Sequence, residues 1–505
     1  MAVGHLVAAT LTPSSSPVLA VGATVIDRTP TPMKEWAVRE LGTKDKPVLL
    51  GSVLLVTLLL AGLAGLIARR RRAAGATVLI TLVGLAGLAA LSRPLATARD
   101  LLPALAAGAV GVAVLLGLAH LADRTTGTRR GGAGATGPGE PPPDHPMTAA
   151  ASPATTRRTL LLAVLGVAAA TAVTGWAGRS LEKWRTRISG VRIPTARQPL
   201  PPLPEGLDAV YDGISDFQTA TGRFYRVDIN LSLPIVPPDE WDLRIDGEVD
   251  HPFTLTFDEL RAMPLVERDI TLTCVSNEVG GKYVGSARWR GVLLSTLLDR
   301  AGVRDGADQV LSTAADGFTI STPLAAVQDG RDAMVAIAMN GEPLPAEHGF
   351  PARLVTPGLY GYVGATKWLR KLTLTRYDDA EAYWTERGWA TEGPIKVSSR
   401  IDTPAPLSRI DAGRTVIGGV AWAQHRGVKG VEVRIDGGPW QAARLGPSAG
   451  IDYWRQWYLP WEATPGRHSL AVRATTRDGE VQTAVRATPF PNGSSGIQEI
   501  QVVVE

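Results

Sequence analysis

Cysteine is almost absent from this chain, since Cys274 is the only one among 505 residues. A single thiol cannot form an internal disulfide, which excludes a disulfide-stapled scaffold but leaves the cellular compartment open. Charged residues are also scarce, at 20% against 45% hydrophobic residues, and the net charge is only +4. This small net charge does not favour a nucleic-acid partner. The composition indicates instead that part of the chain lies in a membrane.

Long runs without charge occupy the first third of the chain. They cover Pro47 to Ala68, Ala73 to Leu91, Leu101 to Leu121 and Leu160 to Gly178. Runs of this length are typical of membrane-spanning helices. We therefore predict a transmembrane helical region over residues 1–122 and a further transmembrane helix over residues 159–179. These helices contain almost no ionisable residues, which argues against a transporter, and one histidine, His120, which argues against a bis-histidine haem.

The arginines predict the orientation of these helices. Arg69 to Arg72 lie between the first two helices, and five more arginines lie between Asp123 and Arg158. By the positive-inside rule both segments are cytoplasmic, so everything after Arg179 lies on the extracytoplasmic side of a multi-pass cell-membrane protein. The second segment is rich in Gly, Pro and Ala, which predicts a disordered cytoplasmic linker over residues 123–158.

Two features of the membrane half stay open. The run from Leu6 to Ile26 is apolar but broken at Pro13 and Pro17, and we hypothesise that the recorded start lacks most of a leading helix. Arg157 and Arg158 stand just ahead of an apolar run and resemble a twin-arginine export signal. The same pair is equally well explained as ordinary positive-inside charge.

The second half of the chain has the pattern of globular domains. An extended tether is predicted over residues 180–204, followed by short strands and helices such as Trp241 to Val249, Phe257 to Met263 and Ser295 to Ala301. This mixture predicts an α+β domain over residues 205–380. Beyond Pro394 the helical patterns vanish and short alternating strands follow one another, which predicts an all-β immunoglobulin-like sandwich over residues 390–505.

Cys274 lies between a predicted strand and a predicted turn. Ile270 to Leu272 have the strand pattern, and Ser276-Asn277 with Gly280-Gly281 have the turn pattern. The thiol is therefore expected on a loop at a strand exit, where functional residues concentrate. The alternative is a small buried hydrophobic residue, since free cysteine is often buried.

Several motifs accompany Cys274 in a fixed order. They are Gly285-Ser-Ala-Arg288-Trp289-Arg290-Gly291, Met339-Asn340-Gly341, His348-Gly-Phe-Pro-Ala-Arg353-Leu-Val-Thr-Pro357-Gly358, and Tyr360-Gly361-Tyr362-Val-Gly364-Ala-Thr366-Lys367-Trp368. Together they resemble the molybdenum domain of the sulfite oxidase family, over about Phe224 to Arg376. The β-sandwich after it resembles the dimerisation domain of that family, which implies a possible homodimer.

The resemblance implies a molybdenum–molybdopterin cofactor bound by residues 205–380. Cys274 matches the metal ligand and is the catalytic candidate, because a soft thiolate is a good ligand for such a metal. The implied cofactor-binding residues are Tyr225, Arg226, His348, Arg353, Gly364, Ala365, Thr366 and Lys367. The implied activity is two-electron oxygen-atom transfer on a small sulfite- or sulfoxide-type substrate. Electrons would pass to or from a separate haem protein or quinone-linked partner.

The sequence departs from sulfite oxidases at the substrate pocket. Asn277-Glu278 and Asp228-Ile-Asn230 stand where the family carries arginines, and Ile337 stands where it carries a tyrosine. An anionic substrate would lose its counter-charges there, so neutral substrates such as sulfoxides are favoured. An alternative keeps the fold without the catalysis, as a membrane-tethered binding or assembly protein.

Overall fold

The computed structural model describes residues 1–30, 33, 36, 40–41, 44–93, 96–130, 153–185 and 190–505. The chain divides into two compact units. The first, here called the helical unit, comprises residues 1–187 and 229–235. The second, the globular unit, comprises residues 188–228 and 236–505.

The helical unit is built from apolar helices. Their bounds are α1 Ala2–Thr10, α2 Pro17–Arg28, α3 Asp45–Ala68, α4 Arg72–Leu91, α5 Leu102–Arg130 and α6 Pro153–Arg185. Four stretches in the described part of the chain are long and apolar enough to cross a membrane: Asp45–Ala68, Arg72–Leu91, Ala98–Ala122 and Arg158–Arg185. The four predicted apolar helices are therefore confirmed.

Two boundaries differ from the sequence-based expectation. Helix α5 continues to Arg130 and α6 begins at Pro153, so both ends of the predicted linker are helical. The middle of that linker, residues 131–152, lies outside the described residues. Helix α6 also runs to Arg185, beyond the predicted end at residue 179, because Leu, Glu, Lys and Arg after Gly178 are strong helix formers.

The apolar run near the chain start forms two short helices instead of one long one. A 3-10 turn at Pro13–Ser15 separates α1 from α2, as expected where proline interrupts a helix. Helix α1 packs against α5 and α6, and α2 packs against α4. At the C-terminal end of α1, Arg185 Nη1 donates to the Ala9 carbonyl at 2.6 Å and to the Leu11 carbonyl at 3.1 Å. The hypothesis about a missing leading helix stays a prediction.

Two sheets and four short helices form the first part of the globular unit. One sheet has the order β2-β1-β10-β5-β6, in which β1 and β10 are parallel. The other has the order β3-β4-β7-β8, with β9 paired to β7. The elements are β1 Asp242–Gly247, β2 Phe253–Thr256, α7 Phe257–Ala262, β3 Val266–Thr273, β4 Val284–Leu293, α8 Leu294–Ala301, β5 Gln309–Ala314, β6 Thr319–Pro323, α9 Leu324–Gln328, β7 Met334–Met339, β8 Glu342–Pro343, β9 Arg353–Val355, α10 Gly361–Gly364 and β10 Leu369–Thr375.

The two predicted short helices are confirmed as α7 and α8, and each has a local cap. Thr256 accepts the Glu259 N–H as a capping box, which starts α7. Gly302 ends α8 with φ of +64°, in the left-handed region that favours glycine. A core of leucine, isoleucine and valine side chains packs these helices against the first sheet, as with Leu243, Leu260 and Leu297.

The remainder of the globular unit, residues 394–505, contains strands and no helix, as predicted. One sheet has the order β11-β13-β17-β16, and the other has the order β12-β19-β18-β14-β15. Apolar residues from both sheets share one core, which includes Ile417, Trp457, Val431 and Leu470. The strands are β11 Ser398–Thr403, β12 Arg409–Ile410, β13 Gly413–Trp422, β14 Val428–Ile435, β15 Gln441–Ala442, β16 Arg444–Leu445, β17 Arg455–Ala463, β18 Gly466–Thr476 and β19 Gln498–Val504. The immunoglobulin-like topology and dimerisation role stay predictions.

The C-terminal tryptophans are mostly core residues. Trp422, Trp454, Trp457 and Trp461 are all buried. Trp440 is only partly buried, and the guanidinium groups of two arginines lie over its ring. The interpretation of most of these tryptophans as core is therefore confirmed.

Candidate functional site

Cys274 is the first residue after β3, on the loop that returns to β4. Its N–H donates to the Tyr283 carbonyl at 2.9 Å, and its carbonyl accepts the Asn277 N–H at 3.0 Å. The Asn277 side chain closes the loop, because its Oδ1 accepts the Tyr283 N–H at 2.8 Å. Ser494 Oγ donates to the Asn277 carbonyl. The thiol is thus held on a tight, buried loop at a strand exit, as the sequence predicted.

Replacing Asn277 with alanine is expected to lower the free energy of unfolding by about 1–3 kcal/mol, because the Tyr283 N–H loses its acceptor in a buried loop. The same loop holds Cys274, so metal retention should fall as well. Chemical denaturation and metal analysis measure the two effects. Glu278→Ala is the matched control, since Glu278 is the exposed next residue. An Asn277→Ala protein as stable as this control would contradict the assigned role.

The surroundings of Cys274 act on its thiol in opposite directions. Burial raises the pKa of the Cys274 thiol, whereas hydrogen bonds from Ser276 and the charge of Lys367 act to lower that pKa. A buried thiol without a metal is therefore kept protonated, and a metal ion would replace that proton. These are not the properties of a freely reactive thiol.

Arg353 is a buried cation without a carboxylate partner among the described residues. Its guanidinium donates to carbonyl oxygens of His348 at 3.1 Å and Ala365 at 3.4 Å. It also lies 5.1 Å from the centre of the buried Trp289 ring. Burial lowers the pKa of Arg353 to about 10, so the group stays charged at neutral pH. A buried charge satisfied only by carbonyls fits an anionic ligand such as a phosphate.

Arg353 contrasts with the arginines of β4, which have carboxylate partners. Arg288 makes two 2.8 Å contacts with Asp269. Arg290 contacts Glu267 at 2.6 Å. The two arginines of the Arg288-Trp289-Arg290 motif bind carboxylates on the neighbouring strand β3, and the Trp289 ring packs against the Arg353 guanidinium. This motif is therefore mainly structural.

His348 and Asn340 hold the segment that leads to Tyr225. His348 Nε2 lies 3.1 Å from the Thr221 carbonyl, and Asn340 Nδ2 donates to the Thr219 carbonyl at 3.0 Å. Burial and the neighbouring Arg353 lower the pKa of His348 to about 4, so the imidazole is neutral at pH 7. The His348 ring also packs edge-on against Phe224. Two of the sequence motifs thus fix the position of the Phe224-Tyr225 pair.

The Tyr225 hydroxyl faces the Cys274 side of the site. A Cβ atom added at Gly361 would lie 3.9 Å from the Thr273 carbonyl and 4.0 Å from the Tyr225 oxygen. Burial raises the pKa of Tyr225, and the nearby Cys274 acts in the same direction. Tyr225 is therefore a neutral hydrogen-bonding group beside the thiol.

Lys367 and Arg226 share one buried carboxylate. Lys367 Nζ lies 2.9 Å from Asp228 Oδ2, and Arg226 Nε lies 2.7 Å from the same oxygen. The Asp228 side chain is only 5% exposed. Burial lowers the pKa of Lys367 to about 8, while Asp228 acts in the opposite direction. Asp228 therefore offsets positive charge close to Cys274.

Gly364 ends α10, and Ala365 and Thr366 connect this helix to Lys367. These three predicted cofactor-binding residues are called the cofactor strip. The N–H groups of Gly364 and Ala365 donate to the Tyr360 and Gly361 carbonyls at 3.1 Å each. The Thr366 N–H has no acceptor among the described residues, so of the three amides it is the one open to a ligand. The Thr366 carbonyl accepts the Leu354 N–H at 2.8 Å, which ties this strip to the β9 strand of Arg353.

The structure connects several of the predicted site residues to one another. Besides burial, Cys274 and Arg353 both act on the pKa of Tyr225, and Lys367 acts on the pKa of Cys274. Arg353 is joined to His348 and Ala365 through their carbonyls, and Arg226 lies at a more exposed edge.

Sequence reasoning did not assign roles to Ser276, Tyr360 or Asp228. Ser276 hydrogen-bonds the thiol, and burial together with the nearby Cys274 raises the pKa of Tyr360 to about 12. In the sequence, Asp228 is notable only because it stands where the family carries an arginine. Its pairing with Lys367 could not be predicted, because the two residues are 139 positions apart.

Comparison with known proteins gives a consistent result. The family described as "Oxidoreductase molybdopterin binding domain" matches residues 230–384. Human mitochondrial sulfite oxidase is 28% identical over 292 residues, which cover 48% of this chain and 53% of that protein. The uncharacterized oxidoreductase YuiH of Bacillus subtilis is 35% identical over 154 residues, which cover 30% of this chain and 74% of that protein. The chain therefore spans about half the length of the sulfite oxidases it matches.

A solved structure is similar to much of this chain. The sulfane dehydrogenase SoxCD from Paracoccus pantotrophus has a TM-score of 0.50 and 27% identity, covering 57% of this chain and 81% of that chain. The residues matched by the family, 230–384, include Cys274, His348, Arg353 and Lys367. Tyr225 and Arg226 lie just ahead of that range.

Proposed function

Since this chain belongs to the sulfite oxidase family of molybdopterin-dependent oxidoreductases, we propose that it is a membrane-anchored enzyme that catalyses two-electron oxygen-atom transfer on a small substrate. The family implies a molybdenum–molybdopterin cofactor, which supplies the two-electron oxygen-transfer chemistry when bound. The observation that carries the proposal is Arg353, a buried cation with no carboxylate partner among the described residues, in the same site as the buried thiol of Cys274.

The residues of the site divide into three tasks. Cys274 would supply the protein thiolate to the metal. Arg353 and the Thr366 amide would bind the phosphate of the cofactor, because a guanidinium fork and a backbone N–H are donors matched to phosphate oxygens. The neutral His348 and Tyr225 would hydrogen-bond uncharged heteroatoms and keep water out of the buried site.

We propose that the substrate is a neutral sulfur compound, such as a sulfoxide, and not sulfite. Asp228 supports this, because it offsets the charges of Arg226 and Lys367 that an anion would otherwise meet. The sulfur chemistry is supported by the sulfite oxidases and the sulfane dehydrogenase among the similar proteins.

The deciding experiment is a substrate screen on the purified full chain with artificial electron carriers. Sulfite is compared with several sulfoxides, in both the oxidising and the reducing direction, on protein with measured molybdenum content. Turnover of a sulfoxide with little or no turnover of sulfite is expected. Turnover of sulfite alone would refute the neutral substrate, and metal-loaded protein that turns over neither class would refute the oxygen-transfer proposal for both.

Replacing Asp228 with asparagine should strengthen anion binding about 10-fold, equivalent to about 1.4 kcal/mol, because Arg226 and Lys367 lose their shared counter-charge. The inhibition constant of sulfate measures the change, at pH 6, where Lys367 stays protonated. Asp246→Asn is the matched control, since Asp246 also bridges an arginine and a lysine, at 2.8 and 3.2 Å. Equal sulfate inhibition of both variants would contradict the role of Asp228.

The membrane side and the redox partner are part of the same proposal. The positive-inside rule applied to the four candidate spans supports an extracytoplasmic globular unit. We propose a separate electron-transfer partner, either a haem protein or a quinone-linked protein. A reporter enzyme fused after Glu505, active only outside the cytoplasm, tests the side. An inactive reporter at this position, together with full activity of a second reporter that works only in the cytoplasm, would reverse the assignment.

A further inference from the structure

A cluster of partly exposed aromatic rings lies next to the cofactor strip and is not used by the chemistry described above. We call it the aromatic surface, and it consists of Tyr362, Tyr383, Trp384, Trp389 and Phe490. Neighbouring rings are 5.0–5.9 Å apart: Tyr362–Trp389 5.7 Å, Trp384–Trp389 5.9 Å, Tyr383–Trp384 5.0 Å and Trp389–Phe490 5.3 Å. Phe490 is 43% exposed, and the other four rings are partly buried.

The aromatic surface is held in place by hydrogen bonds and a cation–π contact. The Tyr362 hydroxyl donates to the Ala390 carbonyl at 2.7 Å, and the Ala390 N–H donates to the Pro491 carbonyl at 3.1 Å. The Arg387 guanidinium lies 3.6 Å from the centre of the Tyr383 ring. Rigid Trp, Tyr and Arg side chains of this kind are the residues that dominate protein–protein interfaces, because they bury large area at little entropic cost.

Exposed carboxylates are frequent in the chain segment that carries Tyr383, Trp384 and Trp389. Within residues 376–395, here called the acidic segment, there are five carboxylates and two arginines, a local net charge of −3 in a chain whose total is +4. All five carboxylates are exposed: Asp378, Asp379, Glu381, Glu386 and Glu392. An aromatic centre beside a segment of net negative charge is an arrangement that steers a positively charged protein into contact.

The aromatic surface is joined directly to the cofactor strip. Tyr362 lies in α10, two residues before Gly364, and the Tyr360 N–H donates to the Gly393 carbonyl at 2.7 Å. A carrier protein docked on these rings would therefore contact residues that are directly bonded to the Gly361–Gly364 helix of the candidate site.

We propose that the aromatic surface is the docking site of a small soluble electron-carrier protein whose redox group is ringed by lysines. This rests on the proposed function, which requires a separate carrier. A second copy of this chain fits poorly, because a two-fold contact would oppose one net charge of −3 to another. The acidic segment is likewise repelled by anionic lipid headgroups.

The test measures binding without turnover. The full chain in detergent is immobilised, and two small haem proteins, one basic and one acidic, are passed over it at increasing salt. The acidic-segment variant is compared with a matched control that removes four exposed carboxylates elsewhere. The acidic-segment variant carries Asp378→Asn, Asp379→Asn, Glu381→Gln and Glu392→Gln, and the control carries Asp305→Asn, Glu342→Gln, Asp411→Asn and Glu462→Gln.

The basic protein is expected to bind the natural chain, and its association rate should fall about 10-fold in the acidic-segment variant at low salt, while the control stays unchanged. Phe490→Ser should speed dissociation, whereas Leu407→Ser, at an 80% exposed leucine, should not. Equal effects of both charge variants, or equal binding of the acidic protein, would overturn the proposal. The proposal would also be overturned if light scattering showed that the natural chain is a dimer and that the Phe490→Ser variant is a monomer. In that case the aromatic surface would be a self-association interface.

Turnover with an artificial carrier separates this proposal from the proposed function. The acidic-segment variant should keep its activity with a small dye, because a dye needs no protein docking site. If the natural chain showed no turnover with the dye, the enzyme proposal would be refuted. The binding measurements would still show whether the aromatic surface is a docking site.

Discussion

Replacing Cys274 with serine is expected to reduce turnover by more than about 100-fold while the protein remains folded. Mutating a group that only orients a metal ligand typically lowers metal affinity or activity by about 10–100-fold. Loss of the ligand itself should lower turnover by more than that. A serine hydroxyl is nearly the same size but is a hard donor that deprotonates far less readily than a thiol. X-ray absorption at the molybdenum edge measures the defect directly, as one fewer sulfur neighbour, alongside the metal content.

The control for this substitution must separate ligation from packing. Cys274→Ala tests packing, because it leaves a small apolar side chain at a position that is 8% exposed. Both variants should unfold at nearly the temperature of the natural metal-free chain, since Cys274 contributes little buried area. A serine variant with an unchanged sulfur count and full turnover would exclude Cys274 as the ligand.

Replacing Arg353 with methionine is expected to abolish cofactor retention without destabilising the cofactor-free protein. Removing one partner of a buried charge pair costs about 2–5 kcal/mol of binding free energy, which is about 30-fold to several thousand-fold in affinity. The loss of the Arg353 guanidinium from the phosphate should have an effect of this size. In the cofactor-free state the same guanidinium is a buried cation without a carboxylate partner among the described residues, so an apolar side chain of similar length relieves a desolvation cost. Cofactor content and thermal unfolding of the cofactor-free protein measure the two effects.

Arg290 provides the matched comparison for Arg353. Arg290 is also largely buried but is paired with the buried Glu267. Arg290→Met should lower stability by about 3–5 kcal/mol, because it leaves a buried carboxylate unpaired. If both substitutions destabilised the cofactor-free chain equally, Arg353 would be a structural residue. Arg353→Lys should restore only part of the cofactor binding, because an ammonium lacks the planar fork.

The parts of the site that sequence could predict are those fixed by local pattern. Ile270 to Leu272 form strand because β-branched and leucine residues alternate with polar ones, and the turn after Cys274 follows from Asn277 and two glycines. The same holds outside the site for the end of α8 at Gly302, directly after the predicted helix Ser295 to Ala301. Such features depend on neighbours within a few residues.

The parts that could not be predicted depend on charges and contacts between distant segments. Asp228 is an ordinary acidic residue in the sequence, yet it neutralises Lys367 from the other end of the domain. Likewise the Gly364 and Ala365 amides are used by the backbone of α10, so only the Thr366 amide of this strip is open to a ligand. The end of α5 at Arg130 was also missed, because composition alone does not define where a polar helix stops.

By itself the sequence determined the apolar helices, the order of the globular elements and a lone thiol on a strand exit, because these follow from hydrophobic runs, short-range periodicity and residue counts. Only the tertiary structure decided which charges remain uncompensated around that thiol. Arg353 is left with carbonyl partners and Lys367 is given a carboxylate, since ion pairing is settled by which side chains the fold brings within about 4 Å of one another.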